Sequence, residues 1–223
     1  MPLAFGALEL PTKAMNLPFS TTLYREQARA IAPAPAPSSD LGTEFPIFTT
    51  SQVREQFLHP QVGSVAITPE SVREHFFKTY VPYGSIIYRE ALRNNLPPEL
   101  VAAVVEAESD FRPRLISHKN ARGLMQIIPS TGRLMGASDL FNPADNIAAG
   151  TKYLRYLFNR FGDQRMVLAA YNAGEGNVDK FGGIPPFAET QNYLRRVASR
   201  SSHYRQRVRG TYVTSLRLRR SLE

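Results

Sequence analysis

Prolines stand at the head of one helix-like segment after another in this chain, and they set its fold class. Thr68-Pro69-Glu70, Leu96-Pro97-Pro98-Glu99, Asn142-Pro143 and Pro185-Pro186 each precede a run whose apolar residues recur every three or four positions. A proline at the first turn of a helix loses nothing, because its missing N–H would be unpaired there anyway; inside a strand it breaks the ladder. TPESVREHFFKTY adds a Thr cap and a first-turn Glu. NPADNIAAGTKYLRYLFNRFG adds an Asn cap, a stripe of Ile147, Leu154, Leu157, Phe158 and Phe161, and a terminal Gly162. YGSIIYREALRNN (stripe Ile86, Ile87, Leu92), DQRMVLAAYNAG and PPFAETQNYLRRVASRSSHYRQR read the same way, and no alternating strand pattern competes. The expected fold class is mainly α, over residues 69–208.

Residues 1–68 differ. IAPAPAPSSD is an alternating Ala-Pro tract, stiff and extended, and Pro, Ser and Thr are frequent around it. This region is expected to be a poorly structured extension and linker, with SQVREQFLHP as a short helix stopped by Pro60. The rest has ordinary core-forming content, since the 223-residue chain is 43% hydrophobic and 21% charged. It contains no cysteine, which excludes disulfides, thiolate metal sites and a cysteine nucleophile. His59, His75, His118 and His203 show no ligand spacing, so no metal or other cofactor is expected. No apolar run approaches the roughly 18 residues of a membrane span. MPLAFGALELPTKAM lacks the basic start of a signal peptide and is interrupted by Glu9, which leaves the export route open.

The net charge of +8 has one address. Residues 195–223 hold nine arginines (195, 196, 200, 205, 207, 209, 217, 219 and 220) against Glu223 alone, so residues 1–194 are neutral overall. Residues 209–223 read as a basic tail. Like charge this dense repels itself unless an anionic polymer or a protein assembly receives it; a solvated helix face is the plainer alternative.

AVVEAESDF (103–111) ends an apolar run in three acids. On a helix Val101, Val104, Val105 and Glu108 share one face, at spacings i, i+3, i+4 and i+7. Glu106 lies about 200° from Val104, and Asp110 is also off the stripe, so both are expected to face solvent. Glu108 continues the buried stripe. Lost hydration and nearby carbonyl dipoles would raise its pKa, as a general acid requires; an ordinary helix-terminal acid paired with Arg112 or Arg114 is the alternative.

From Glu108 to Thr131 the chain reads ESDFRPRLISHKNARGLMQIIPST. This resembles the signature of bacterial soluble lytic transglycosylases, which share a lysozyme-like fold with goose-type lysozymes. The matching residues are Glu108, Ser109, Phe111, Pro113, Ser117, Gly123, Leu124, Met125, Gln126, Ile127 and Pro129. Asn120 departs from a common glycine, although Asn tolerates the left-handed turn. AAYNAG (169–174) and PFAETQNYLRRV (186–197) resemble the family's later motifs in order and spacing, and NPADNIAAGTKYL resembles the helix between them. The resemblance covers roughly residues 80–200.

It implies a lysozyme-like helical domain with a substrate cleft that cuts the β-1,4 bond between N-acetylmuramic acid and N-acetylglucosamine in peptidoglycan. Glu108 takes the position of the single acid/base, and the muramic C6 hydroxyl closes a 1,6-anhydro ring. Ser117 takes the place that holds the substrate's N-acetyl group, or else caps a turn. Gly123 would let backbone approach the sugar; Met125 lies in the cleft wall or the core; Gln126 would hydrogen-bond the sugar. Tyr171 would contact Glu108 or the sugar, and Asn172 would brace its loop. Glu189 would reach the cleft or stabilise a first helical turn. The partner implied is the peptidoglycan glycan strand, met by a monomer in the periplasm or cell wall. A goose-type lysozyme-like hydrolase, using Glu189 or Asp110 as second acid, and a wall-binding assembly protein are the competing readings.

Overall fold

The computed structural model describes residues 67–220, and every regular element in them is helical. In chain order these are α1 (Pro69–Tyr80), α2 (Gly84–Arg93), α3 (Pro98–Ser109), α4 (Pro129–Leu134), α5 (Pro143–Phe161), α6 (Gln164–Ala173), α7 (Glu175–Phe181) and α8 (Ala188–Arg220). The Ala-Pro tract and the short helix expected at 51–60 lie outside the described residues.

The prolines do what their positions predict. Pro69, Pro98 and Pro143 open α1, α3 and α5. Thr68 and Ser71 close a reciprocal capping box, and Asn142 Oδ1 accepts from Ala144 N and Asp145 N. Pro129 likewise opens α4, which the motif reading passed over, as it did α7. Both are short, too short for a periodicity to show. Pro185 and Pro186 instead end the loop ahead of α8, whose first helical residue is Ala188.

The central element is α3. Each residue from Pro98 to Val105 is buried, which a helix sustains only when neighbours surround it. It packs against α2 on one side and α8 on another, while α8 also reaches α1 and α6, and α5 joins α2, α4 and α6. Leu100, Val101, Val104 and Val105 are at most 1% exposed. Each such side chain contributes about 1.5–3 kcal/mol through burial. In α2, Ile87 and Ala91 are buried, whereas Leu92 is 50% exposed. Leu92 sits about 140° round the helix from Ile87, so it leaves the stripe expected to include it.

Residue 208 marks no structural boundary. Residues 209–220 of the expected tail continue α8, a single helix of 33 residues. No helix among the described residues is long and apolar enough to cross a membrane.

Candidate active site

Glu108 lies in the last turn of α3, and the chain then reverses sharply. Asp110 and Phe111 take consecutive left-handed angles, φ 51° and 57°. Asp accepts that region readily, whereas an aromatic residue there carries strain of the kind found beside functional groups. Glu108 is half-buried. Loss of hydration dominates, and the carboxyl is pushed up to about 8; Tyr193 and Arg196 oppose the shift, and Glu189 adds to it. An acid that keeps its proton at neutral pH is thereby available.

The two flanking acids differ. Asp110 is exposed, as its phase indicates. Glu106 does not face solvent freely: it pairs with Arg200 Nε at 2.9 Å and accepts from Tyr204 Oη at 2.8 Å. Helix α8 crosses that side of α3, which local phase along α3 does not reveal.

After the reversal, a compact loop folds back under Glu108. Ser117 N donates to Ala121 O, and Ala121 N donates to Ser117 Oγ at 3.1 Å. Ser117 therefore closes a turn with its oxygen, and none of the described residues takes its hydroxyl proton. Asn120 sits inside this turn with φ 60°, the left-handed angle that Asn tolerates. Arg122 and Ile127 exchange both backbone hydrogen bonds, at 3.0 Å each.

Asn146 of α5 holds this loop from below. Its Oδ1 accepts from Met125 N at 2.7 Å, and its Nδ2 donates to Arg122 O at 2.8 Å and Leu140 O at 2.9 Å. Gly123, at φ 74°, is glycine because a Cβ would lie 2.2 Å from Leu140 O and 2.4 Å from Asn146 Nδ2. Its close approach is therefore to protein, not to sugar as expected. Met125 is also corrected. It is 0% exposed and packs over Gly150, so it belongs to the core and offers no surface to a ligand. Gln126 is buried too, its Nε2 donating to Leu115 O and Gly123 O. The donor end of its amide holds the loop together.

Two residues tie the loop to the helices around Glu108. Ser109 Oγ donates to Leu124 O at 2.7 Å. Tyr171 Oη donates to Met125 O at 2.7 Å, so its proton is committed to the loop even though the ring feels the Glu108 charge. Asn172, in the last turn of α6, accepts from Thr190 Oγ1 at 2.9 Å and braces the start of α8. Glu189, half-buried on the first turn of α8, is close enough to influence both Glu108 and Lys119.

Tyr193, one turn beyond Glu189, was not singled out in the sequence. It is 0% exposed, and its Oη is the one buried side-chain polar atom among the described residues without a hydrogen-bond partner. It nevertheless lies near enough to Glu108 to favour the ionised carboxylate. Burial and the Glu108 charge push its own pKa well up, so it stays a neutral donor. The i, i+4 spacing from Glu189 was the available signal.

The transglycosylase SLT domain family matches residues 85–194. A putative soluble lytic murein transglycosylase of Haemophilus influenzae is 34% identical over 141 residues, 52% of this chain and 24% of that protein. A transglycosylase of Enterobacteria phage PRD1 is 42% identical over 85 residues, 38% of this chain and 32% of that one. The chain thus spans a third or less of these relatives. Among solved structures, the 70 kDa soluble lytic transglycosylase of Escherichia coli superposes with a TM-score of 0.51 at 32% identity, covering 56% of this chain and 24% of that one. Motif order, helical fold and similarity coincide on the same residues, and residues 85–194 form a transglycosylase SLT domain.

Proposed function

We propose that this chain is a peptidoglycan lytic transglycosylase working in the cell-wall compartment with Glu108 as its single acid/base. The observation that carries the reading is the half-buried Glu108 carboxyl, its pKa raised to about 8 by lost hydration, within electrostatic reach of the buried Tyr193 hydroxyl. Glu108 gives its proton to the glycosidic oxygen as the C1–O bond breaks. The resulting carboxylate accepts a hydrogen bond from Tyr193, then takes the proton of the muramic C6 hydroxyl as that oxygen bonds to C1. One 1,6-anhydro end and one free 4-hydroxyl form, and no water is consumed. Ser117 donates its uncommitted proton to the substrate's acetamido oxygen, which stabilises the cationic centre without a second carboxylate.

Product analysis by mass spectrometry tests this. Purified peptidoglycan digested by wild-type protein should yield 1,6-anhydromuramic ends. Reducing ends would assign the reaction to a hydrolase, with Glu189 as the candidate second acid because it lies within electrostatic reach of Glu108. No release at all would favour a binding role. A pH profile gives a second check. Activity should fall as pH rises through about 8, because the acid form of Glu108 is lost. Glu189→Gln removes a charge that raises the Glu108 pKa, so that alkaline limb should move to lower pH. A limb that stays in place would remove Glu189 from the site's electrostatics.

A further inference from the structure

Helix α8 presents two faces of different chemistry. Tyr193, Val197, Tyr204 and Ser215 line its buried side. Away from that side Arg195, Arg209 and Arg217 are exposed, and Arg205 is exposed on its flank. Arg195 donates to Asn192 Oδ1 and Arg205 to Ser201 Oγ at 2.9 Å; none of the four pairs with an acid among the described residues. The only acid in the whole helix is Glu189, at its first turn. From Arg195 to Arg217 the row runs roughly 33 Å at the helical rise. Its first residue, Arg195, is two positions after Tyr193 and lies about 200° round the helix, so the row starts level with the reactive group but on the far side of the helix, about 10 Å across.

We propose that this outer face of α8 is an exosite for the carboxylate-bearing peptide stems of the same wall polymer whose glycan reacts at Glu108. The inference rests on the transglycosylase reading. A glycan strand held at Glu108 carries peptide stems along its length, and a stem of four residues extends about 14 Å, enough to cross the width of one helix and bring its free carboxylates to the row. Guanidinium groups match carboxylates with two parallel hydrogen bonds. Each exposed contact is weak, but a repeating polymer engages several at once. Membrane insertion does not fit the surface, since Ala198, Gly210 and Val213 supply too little exposed apolar area between the arginines.

The test uses the full chain carrying Glu108→Gln, so that the polymer is not consumed, with and without Arg205→Gln, Arg209→Gln and Arg217→Gln together. Co-sedimentation with intact sacculi at low salt should weaken about tenfold in the triple variant, the combined effect of three weak exposed contacts. The gap should close at about 0.5 M NaCl, where screening is nearly complete. Glycan stripped of peptides by an amidase should bind both proteins equally. Equal binding to intact sacculi overturns the proposal. So does an equal loss on stripped glycan, or a loss seen only with duplex DNA, which would assign the row to phosphates. Failure of the wild-type protein to make anhydro ends would remove the transglycosylase reading while leaving the sacculus comparison informative.

Discussion

Replacing Glu108 with glutamine is expected to remove about a thousandfold of the wall-cleaving rate and, at pH 8, to make the fold more stable. The loss of rate follows from the proton: glutamine keeps the shape of the carboxyl and has none to give. The gain in stability follows from linkage. The Glu108 carboxyl has a folded pKa of about 8 against a reference value of 4.5. Between those values the folded state holds a proton that the unfolded state has released, so stability declines as pH rises through that window. Below 4.5 both states are protonated, and the substitution changes little. At pH 8 the variant escapes a penalty on the order of a few kcal/mol, which raises the melting midpoint of a domain this size by roughly 5–10 °C. Thermal melts at pH 4 and pH 8 check the sign. A destabilised variant at pH 8 would mean that lost hydration does not hold the proton on this carboxyl. Glu106→Gln is the control. It should lower stability by about 1–2 kcal/mol, through the lost ion pair with Arg200 and a weaker bond from Tyr204, and retain most of the activity.

The contrast between these two acids shows what was legible in the sequence. The phase of Val101, Val104 and Val105 and the motif following them both point to Glu108, but the helix is buried on every side from Pro98 to Val105 and leaves Glu106 and Glu108 alike half-buried, so phase alone does not separate the two acids. The partners of Glu106 could not be read from α3, since Tyr204 lies 98 positions later and only the packing of α8 brings it close. Met125 left two readings open for the same reason: its burial depends on Gly150, in a helix not yet placed against it. Tyr193 stood within a quoted motif, and helical spacing from Glu189 would have found it. Asn146 was also readable in principle. It shares a helical face with Ala149, Gly150 and Tyr153, and an Asn among buried residues must satisfy its hydrogen bonds somewhere. What it satisfies, the backbone of the motif loop, was not.

That role makes Asn146→Ala the most damaging single change expected away from Glu108. Asn146 is 0% exposed and uses both ends of its amide on backbone groups. Alanine would strand the Met125 N–H and the Leu140 carbonyl, take one of its two donors from the Arg122 carbonyl, and leave a small cavity. The expected loss is on the order of 4 kcal/mol, since each buried unpaired group costs about 1–3 kcal/mol. Asn146→Asp should do no better, because a carboxylate accepts from Met125 but repels the two carbonyls. Gly123→Ala attacks the same contact from the other side, as its new Cβ would meet Asn146 Nδ2 and Leu140 O. If one bracket is being broken twice, the double variant should be clearly less destabilised than the sum of the singles. Urea titrations of all four proteins measure this; additive losses would separate the two residues. Activity should fall with stability. Leu124 O and Met125 O, held in place by this loop, receive Ser109 beside Glu108 and Tyr171 of α6, so a displaced loop releases both anchors of the reactive carboxyl's surroundings.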